Sequence, residues 1–128
     1  WIYTDESFVK KVLLLKTNPD RGGFWQPVTG SVEKNESFSE AASREVYEET
    51  GLKFLKNPCE IPYEFSYEGR YGFTHEVCFA VLVAPHQQVQ ISEEHMDFSW
   101  VDLSTALSLL SFQSNKDALN ALIQSNHF

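Results

Sequence analysis

The sequence has few cysteines and no long apolar stretch, and each shortage excludes a class of protein. Its two cysteines, Cys59 and Cys78, are too few for a disulfide-stapled scaffold, and no CxxC spacing suggests a zinc site. No apolar run approaches the roughly 20 residues that cross a bilayer. We therefore expect a cytoplasmic protein that keeps its thiols reduced and has no membrane partner.

Basic residues are also scarce, since 10 Lys and Arg stand against 18 Asp and Glu, for a net charge of −8. Such a chain repels the backbone of duplex DNA, so we expect no DNA duplex as a partner. An acidic protein can still act on small polyphosphates, because its carboxylates attract a divalent cation that screens the phosphates.

The length of 128 residues and the hydrophobic fraction of 42% predict one domain that spans residues 1–128. The opening residues, Trp1 to Tyr3, are typical of the end of a strand, so we expect the N-terminal strand to be truncated. Strands are predicted at residues 9–17, 52–55, 63–67, 76–84 and 98–101. Helices are predicted at 38–50, 102–110 and 114–124, the last with a Ser114 and Asp117 cap pair. This order predicts an α/β fold, with helices on the faces of a mixed sheet.

The most informative stretch combines glycine, glutamate and arginine at fixed spacing. The pattern is Gx5Ex7REUxEExGU, in which U is aliphatic, and it is formed by Gly30, Glu36, Arg44, Glu45, Val46, Glu48, Glu49, Gly51 and Leu52. With average residue frequencies near one in fifteen, chance would produce it about once in 10⁹ starting points. The stretch resembles the Nudix box, the signature of hydrolases that cleave a nucleoside diphosphate linked to another group. The resemblance also implies that family's α/β/α sandwich.

The glutamates of this stretch fall on one face of the predicted helix. Ser37 and Glu40 form a capping box and Gly51 supplies a left-handed stop, which bounds a helix at residues 38–50. At about 100° per residue, Glu45, Glu48 and Glu49 share one side of that helix. Their mutual repulsion predicts a cation beside them, and Mg²⁺ or Mn²⁺ is the natural candidate. The alternative is a solvated acidic helix that an arginine stabilises.

The family resemblance implies a role for each residue of the box. Glu45 and Glu49 would be the principal metal ligands, Glu48 would bind a further ion, and Gly30 would offer its backbone carbonyl. Glu36 would lie just outside these ligands, and Arg44 would orient a glutamate during catalysis.

A second acidic segment, Ser92-Glu93-Glu94-His95, resembles the loop that brings another glutamate to the metals in many such enzymes. We select Glu94 as a metal ligand or general base and assign His95 no role. The residues leave open whether Glu94 or Glu45 is the base.

The expected function is a Mg²⁺-dependent pyrophosphohydrolase that converts a nucleoside triphosphate or dihydroneopterin triphosphate to the monophosphate and pyrophosphate. Within the family, residues 24–33, Trp100 and the segment at Ser114 resemble the dihydroneopterin triphosphate pyrophosphatases, which also hydrolyse dATP. The alternatives are a dinucleoside polyphosphate hydrolase, an RNA 5′ pyrophosphohydrolase, and a catalytically silent sensor that binds nucleotides.

Candidate substrate contacts follow from side-chain chemistry. Aromatic rings can stack on a pterin or purine, and cations can meet phosphate oxygens. The candidates of these two kinds are Trp25, Tyr71, Phe73, Arg21, Arg70 and Lys16.

Overall fold

The structure, a computed structural model, describes residues 1–69 and 72–125. The strands are β1 (Ile2–Glu6), β2 (Val9–Thr17), β3 (Trp25–Gln26), β4 (Cys59–Gly69), β5 (Gly72–Leu82) and β6 (His95–Asp102). The helices are α1 (Phe38–Thr50), α2 (Leu103–Leu109) and α3 (Gln113–Gln124), and a 3₁₀ turn covers Pro19–Arg21. No helix within the described ranges is both long and apolar enough to cross a membrane.

The strands form one mixed sheet with β2 near its centre. Val12 of β2 pairs with Tyr3 of β1 and with Val101 of β6, so these two strands lie on opposite edges of β2. The short β3 follows β1 along the same edge, and β5 pairs parallel to β1 while β4 closes the order antiparallel to β5. The predicted mixed sheet is confirmed.

Alternating side chains of β2 supply two separate core layers. Val12 and Leu14 pack in a cluster with residues of α2 and α3, whereas Leu13 and Leu15 pack in a cluster with Val46 of α1. Because successive residues of a strand point to opposite faces, helices cover both faces of the sheet. The α/β/α sandwich is therefore confirmed.

The bounds predicted for α1 match the structure, since both of its ends are set by local chemistry. The Ser37 hydroxyl accepts a hydrogen bond from the Glu40 amide at 3.0 Å, and the Glu40 carboxylate accepts one from the Ser37 amide at 3.0 Å. Gly51 ends the helix at φ 69°, a conformation that disfavours residues with a side chain.

Two predictions about the other elements are wrong. Residues 52–55 form no strand, because only Phe54 makes a single bridge to Val83. Helix α3 begins at Gln113 without a side-chain cap, and Asp117 accepts instead from the Gln113 side chain at 2.9 Å. The helix predicted at 102–110 is present as α2 and begins one residue later than predicted, because Asp102 is its cap and accepts from the Thr105 amide at 2.8 Å.

Candidate active site

Arg44 of α1 lies at the centre of a carboxylate cluster. Its Nε and Nη2 donate to the two carboxylate oxygens of Glu36 at 2.8 and 2.9 Å. Its Nη1 donates to Glu45 at 2.8 Å and to Glu48 at 3.2 Å, and Nη2 also donates to the Ser31 carbonyl at 2.7 Å. The two-pronged pairing with Glu36 fixes the plane of the guanidinium. Arg44 therefore ties the loop before α1 to the glutamates on the helix.

The charges of this cluster are unbalanced. Arg44 contacts the carboxylates of Glu36, Glu45 and Glu48, and that of Glu33 at 3.6 Å, so one cation faces four anions. Hydrogen bonds from Arg44, aided by the Glu33 amide, lower the pKa of Glu36 to about 2. Burial raises the pKa of Glu45 despite its bond to Arg44, and nearby Glu48 and Glu49 add to the rise. A further cation would relieve this repulsion.

Gly30 gives the backbone a close approach to Glu45. A methyl group built at Gly30 would overlap the Glu45 side chain at its Cγ and carboxyl carbon. The glycine of the box therefore leaves room for the carboxylate of Glu45 directly beside the loop that enters α1. This contact brings together two of the residues predicted as metal ligands.

Glu49 contacts a different set of donors, which lie in and after the segment before β6. Its side chain is 7% exposed, and its Oε2 accepts from the Ser92 hydroxyl at 2.7 Å and lies 3.1 Å from His95 Nδ1. The side chain of Glu94 is exposed, and its backbone amide donates to Ser92 Oγ at 3.3 Å. The loop therefore reaches the glutamate helix through Ser92 and His95, whereas sequence reasoning selected Glu94. A run of polar residues in a turn does not reveal which side chains point inward.

The three glutamates of α1 that were predicted to bind metal are divided between two sets of donors. Glu45 and Glu48 meet at Arg44, whereas Glu49 meets Ser92 and His95. Within residues 1–69 and 72–125, no three His, Cys, Asp or Glu side chains converge as a ready cluster of metal ligands. The oxygen ligands nevertheless suit a hard cation, because α1 carries more carboxylates than the single basic side chain, Arg44, can neutralise.

A cleft of about 590 Å³ opens beside Glu45. Helix α1 and residues 27–32 line one wall, and the β4–β5 hairpin lines another. On the hairpin, the rings of Phe65 and Tyr67 are stacked with centroids 6.1 Å apart. The Tyr67 hydroxyl donates to Glu76 Oε1 at 3.0 Å. Sequence reasoning missed these three residues, although the alternation at 65 and 67 and their pairing with β5 place them on one face.

The residues predicted to contact substrate lie mostly elsewhere. Trp25 packs against the core cluster shared with α2 and α3, and the Lys16 ammonium lies 5.8 Å from its ring centroid. Arg21 is exposed on the 3₁₀ turn, and Phe73 is 79% exposed; neither lines the cleft. The predicted residues Arg70 and Tyr71 lie outside the described residues.

Comparison with known proteins identifies the family of this chain. The model of the NUDIX domain matches residues 2–122. The dihydroneopterin triphosphate diphosphatase of Escherichia coli K12 is 32% identical over 134 residues, which cover 95% of this chain and 87% of that protein. An octanoyltransferase of Myxococcus xanthus is 40% identical over 111 residues, which cover 85% of this chain but only 31% of that longer protein. The chain thus spans about a third of that relative.

A solved structure shows the same fold. The Ap4A hydrolase of Caenorhabditis elegans in a binary complex superposes with a TM-score of 0.82 at 23% identity, covering 95% of this chain and 90% of that chain.

Proposed function

This chain belongs to the NUDIX domain family of hydrolases, and we propose that it cleaves a nucleoside triphosphate or dihydroneopterin triphosphate to the monophosphate and pyrophosphate. Members of the family generally use divalent metal cations. For this chain we propose Mg²⁺ or Mn²⁺, because the donors available on α1 are carboxylate and carbonyl oxygens. The relative from Escherichia coli, matched over nearly the whole chain, supports this choice of substrates.

The glutamates of α1 and the loop before it would hold the metal. We propose Glu45 and Glu49 as principal ligands, Glu48 as a ligand to a further ion, and the Gly30 carbonyl as a neighbouring donor. The close approach of Gly30 to Glu45 and the negative excess around Arg44 support this assignment. When bound there, such cations would supply Lewis-acid chemistry that activates water and stabilises negative charge on the phosphates and the leaving group.

The chain's own residues would prepare the reaction by fixing these carboxylates. Arg44 holds Glu45 through Nη1, while its Nε and Nη2 are anchored on Glu36. For the general base we favour Glu45 over Glu94, since Glu45 lines the cleft and Glu94 is exposed outside it. A base must lie within hydrogen-bond reach of the proton that it accepts.

The main support for the proposal is that one cleft borders both Glu45 and the aromatic rings of the hairpin. Its volume of about 590 Å³ suits a small ligand, and the same space meets Glu45 on one wall and stacked aromatic rings on another. The two ends of a nucleotide or pterin triphosphate match these two walls, because the phosphate anhydride is at one end of the molecule and a flat ring is at the other.

Acyl transfer, the activity in the name of the relative from Myxococcus, has less support. Cys78 lines the cleft, but burial raises the pKa of its thiol to about 11. A thiol with that pKa stays protonated at neutral pH and is a poor nucleophile. The match also covers only 31% of that longer protein.

Product analysis tests the proposal. The purified protein would be incubated with Mg²⁺ and dihydroneopterin triphosphate, dATP, dGTP, diadenosine tetraphosphate or a 5′-triphosphorylated RNA, with Glu45→Gln as the matched inactive variant. We expect pyrophosphate and a monophosphate from the small triphosphates. Release of ATP and AMP from diadenosine tetraphosphate, without turnover of the triphosphates, would instead support the dinucleoside polyphosphate hydrolase. Nucleotide binding without any turnover would support the silent sensor.

A further inference from the structure

The cleft wall formed by the hairpin carries a carboxylate among aromatic rings. Phe65 of β4 and Glu76 of β5 are direct partners in the strand register, and Tyr67 lies two residues further along β4. All three line the cleft. Since residues two apart on a strand share a face, one surface presents two rings and one acid.

Glu76 has acceptor capacity that the described residues leave unused. Its Oε1 accepts from the Tyr67 hydroxyl, while its Oε2 accepts no hydrogen bond from any residue in the described ranges. The side chain is half-buried, and burial raises the pKa of Glu76, as expected for an acid with little compensating charge among those residues. Each carboxylate oxygen can accept two hydrogen bonds, so the contacts among residues 1–69 and 72–125 leave both oxygens able to accept from a ligand.

We propose that Glu76 is a specificity-determining residue that selects substrates whose ring presents two adjacent N–H donors, while Phe65 and Tyr67 stack on the ring. Guanine has this edge in its N1–H and 2-amino groups, and 2-amino-4-oxopteridines have the same arrangement. A carboxylate can accept both bonds side by side. This inference rests on the proposed function, because it concerns the substrate of the same cleft.

Other bases fit the same carboxylate less well. The corresponding edge of adenine offers one amino donor next to the lone pair of N1, which would face a negatively charged oxygen. Thymine and uracil offer one N–H between two carbonyl oxygens. Sites built to bind a particular donor reject analogues that lack it, because their own polar groups are left unpaired.

The test compares dGTP with dATP, which carry the same triphosphate and sugar. We expect the wild-type kcat/KM for dGTP to exceed that for dATP by about 10-fold to 100-fold, the ratio expected for one charged hydrogen bond. Glu76→Gln replaces one acceptor with a donor, so this ratio should fall at least tenfold. Glu76→Asp keeps the charge and should retain part of the preference, which separates recognition from a general folding defect. Circular dichroism would check that both variants fold.

Glu68→Gln is the matched control. It removes the same charge from the same hairpin, but Glu68 is exposed and lies outside the cleft lining. The ratio should therefore stay at the wild-type value in this variant. Equal kcat/KM for the two nucleotides in the wild type, or an unchanged ratio in Glu76→Gln, would overturn the inference while leaving the proposed hydrolysis intact.

A failure of the proposed function would give a different result from a failure of this inference. If no triphosphate is hydrolysed, the affinities of α,β-methylene dGTP and α,β-methylene dATP, measured by calorimetry, still test Glu76. Tighter binding of the guanine analogue that Glu76→Gln abolishes would support the recognition role. Equal affinities would reject it.

Discussion

Replacing Glu49 with Gln should nearly abolish hydrolysis while leaving the fold almost unchanged. The Glu49 side chain is 7% exposed, and its Oε2 accepts from Ser92 at 2.7 Å beside His95. Glutamine has almost the same shape, and its carbonyl oxygen can still accept from Ser92. The substitution thus removes one charge and one carboxylate oxygen and little else.

The expected change in stability is the difference between two small effects. A hydrogen bond to a charged group contributes about 1.5–3 kcal/mol and a neutral one about 0.5–1.5 kcal/mol, so the variant should lose roughly 1 kcal/mol at Ser92 and a similar amount at His95. Relief of repulsion from Glu45, four residues earlier on the same helix, returns a few tenths of a kcal/mol. The net loss should be about 1–2 kcal/mol, which lowers the Tm of a domain of this size by roughly 4–10 °C.

The expected change in activity is much larger. Losing about 4 kcal/mol of transition-state stabilisation at a metal-bound phosphate corresponds to about a 10³-fold fall in kcat. Steady-state release of pyrophosphate at saturating Mg²⁺, together with thermal unfolding, measures both quantities. Glu93→Gln makes the same change of charge at an exposed position of the neighbouring loop and should keep near-wild-type values. A Glu49→Gln enzyme that retains more than a tenth of wild-type activity would refute Glu49 as a principal ligand.

Three further outcomes are expected. Gly30→Ala would push the Glu45 side chain away from the loop, and misplacing a catalytic group in this way lowers the rate by about 10-fold to 100-fold. Steady-state kinetics should show this fall in a variant whose Tm is nearly normal, and an unchanged rate would contradict the role of Gly30. The pKa of Glu36 is about 2 when folded, below its ordinary 4.5, so its pairing with Arg44 stabilises the fold above pH 4.5 and the contribution disappears as the pH falls through 2. Urea unfolding of Glu36→Gln should therefore converge with wild type at pH 2, and a constant difference would count against the pairing. Added Mg²⁺ should raise the Tm by mass action, whereas a Tm that stays flat at saturating metal would argue against the metal site.

Local signals in the sequence were sufficient to predict α1 and β2. The capping box at Ser37 and the stop at Gly51 act within a few residues, so the bounds of α1 follow without knowledge of the rest of the fold. The run at residues 9–17 is apolar enough to indicate β2, which is buried between two core layers. Helical periodicity alone predicts that Glu45, Glu48 and Glu49 share one side of α1, but it does not predict that Glu49 has different donors from the other two.

Contacts between distant segments could not be predicted in this way. Ser92 and His95 reach Glu49 across more than forty residues of chain, and that pairing depends on the loop conformation. The sequence predicts substrate contacts among aromatic and basic residues such as Trp25 and Arg21. The cleft wall is instead lined by Phe65 and Glu76, which become neighbours only through the register of β4 and β5.

The residues proposed for catalysis lie on α1, whereas those proposed for substrate recognition lie on the β4–β5 hairpin. The fold nevertheless fixes the position of the helix relative to the hairpin. Val46 of α1 packs in the same core cluster as Val81 of β5, so helix and hairpin share one hydrophobic layer. Glu45 lies one residue before that anchor on the helix, and Glu76 lies on the same strand as Val81. Because close-packed cores resist deformation, the distance between the two walls is set by buried residues. We therefore expect that exchanging the side chains at 65, 67 and 76 would change which ring is accepted without disturbing the carboxylates on α1.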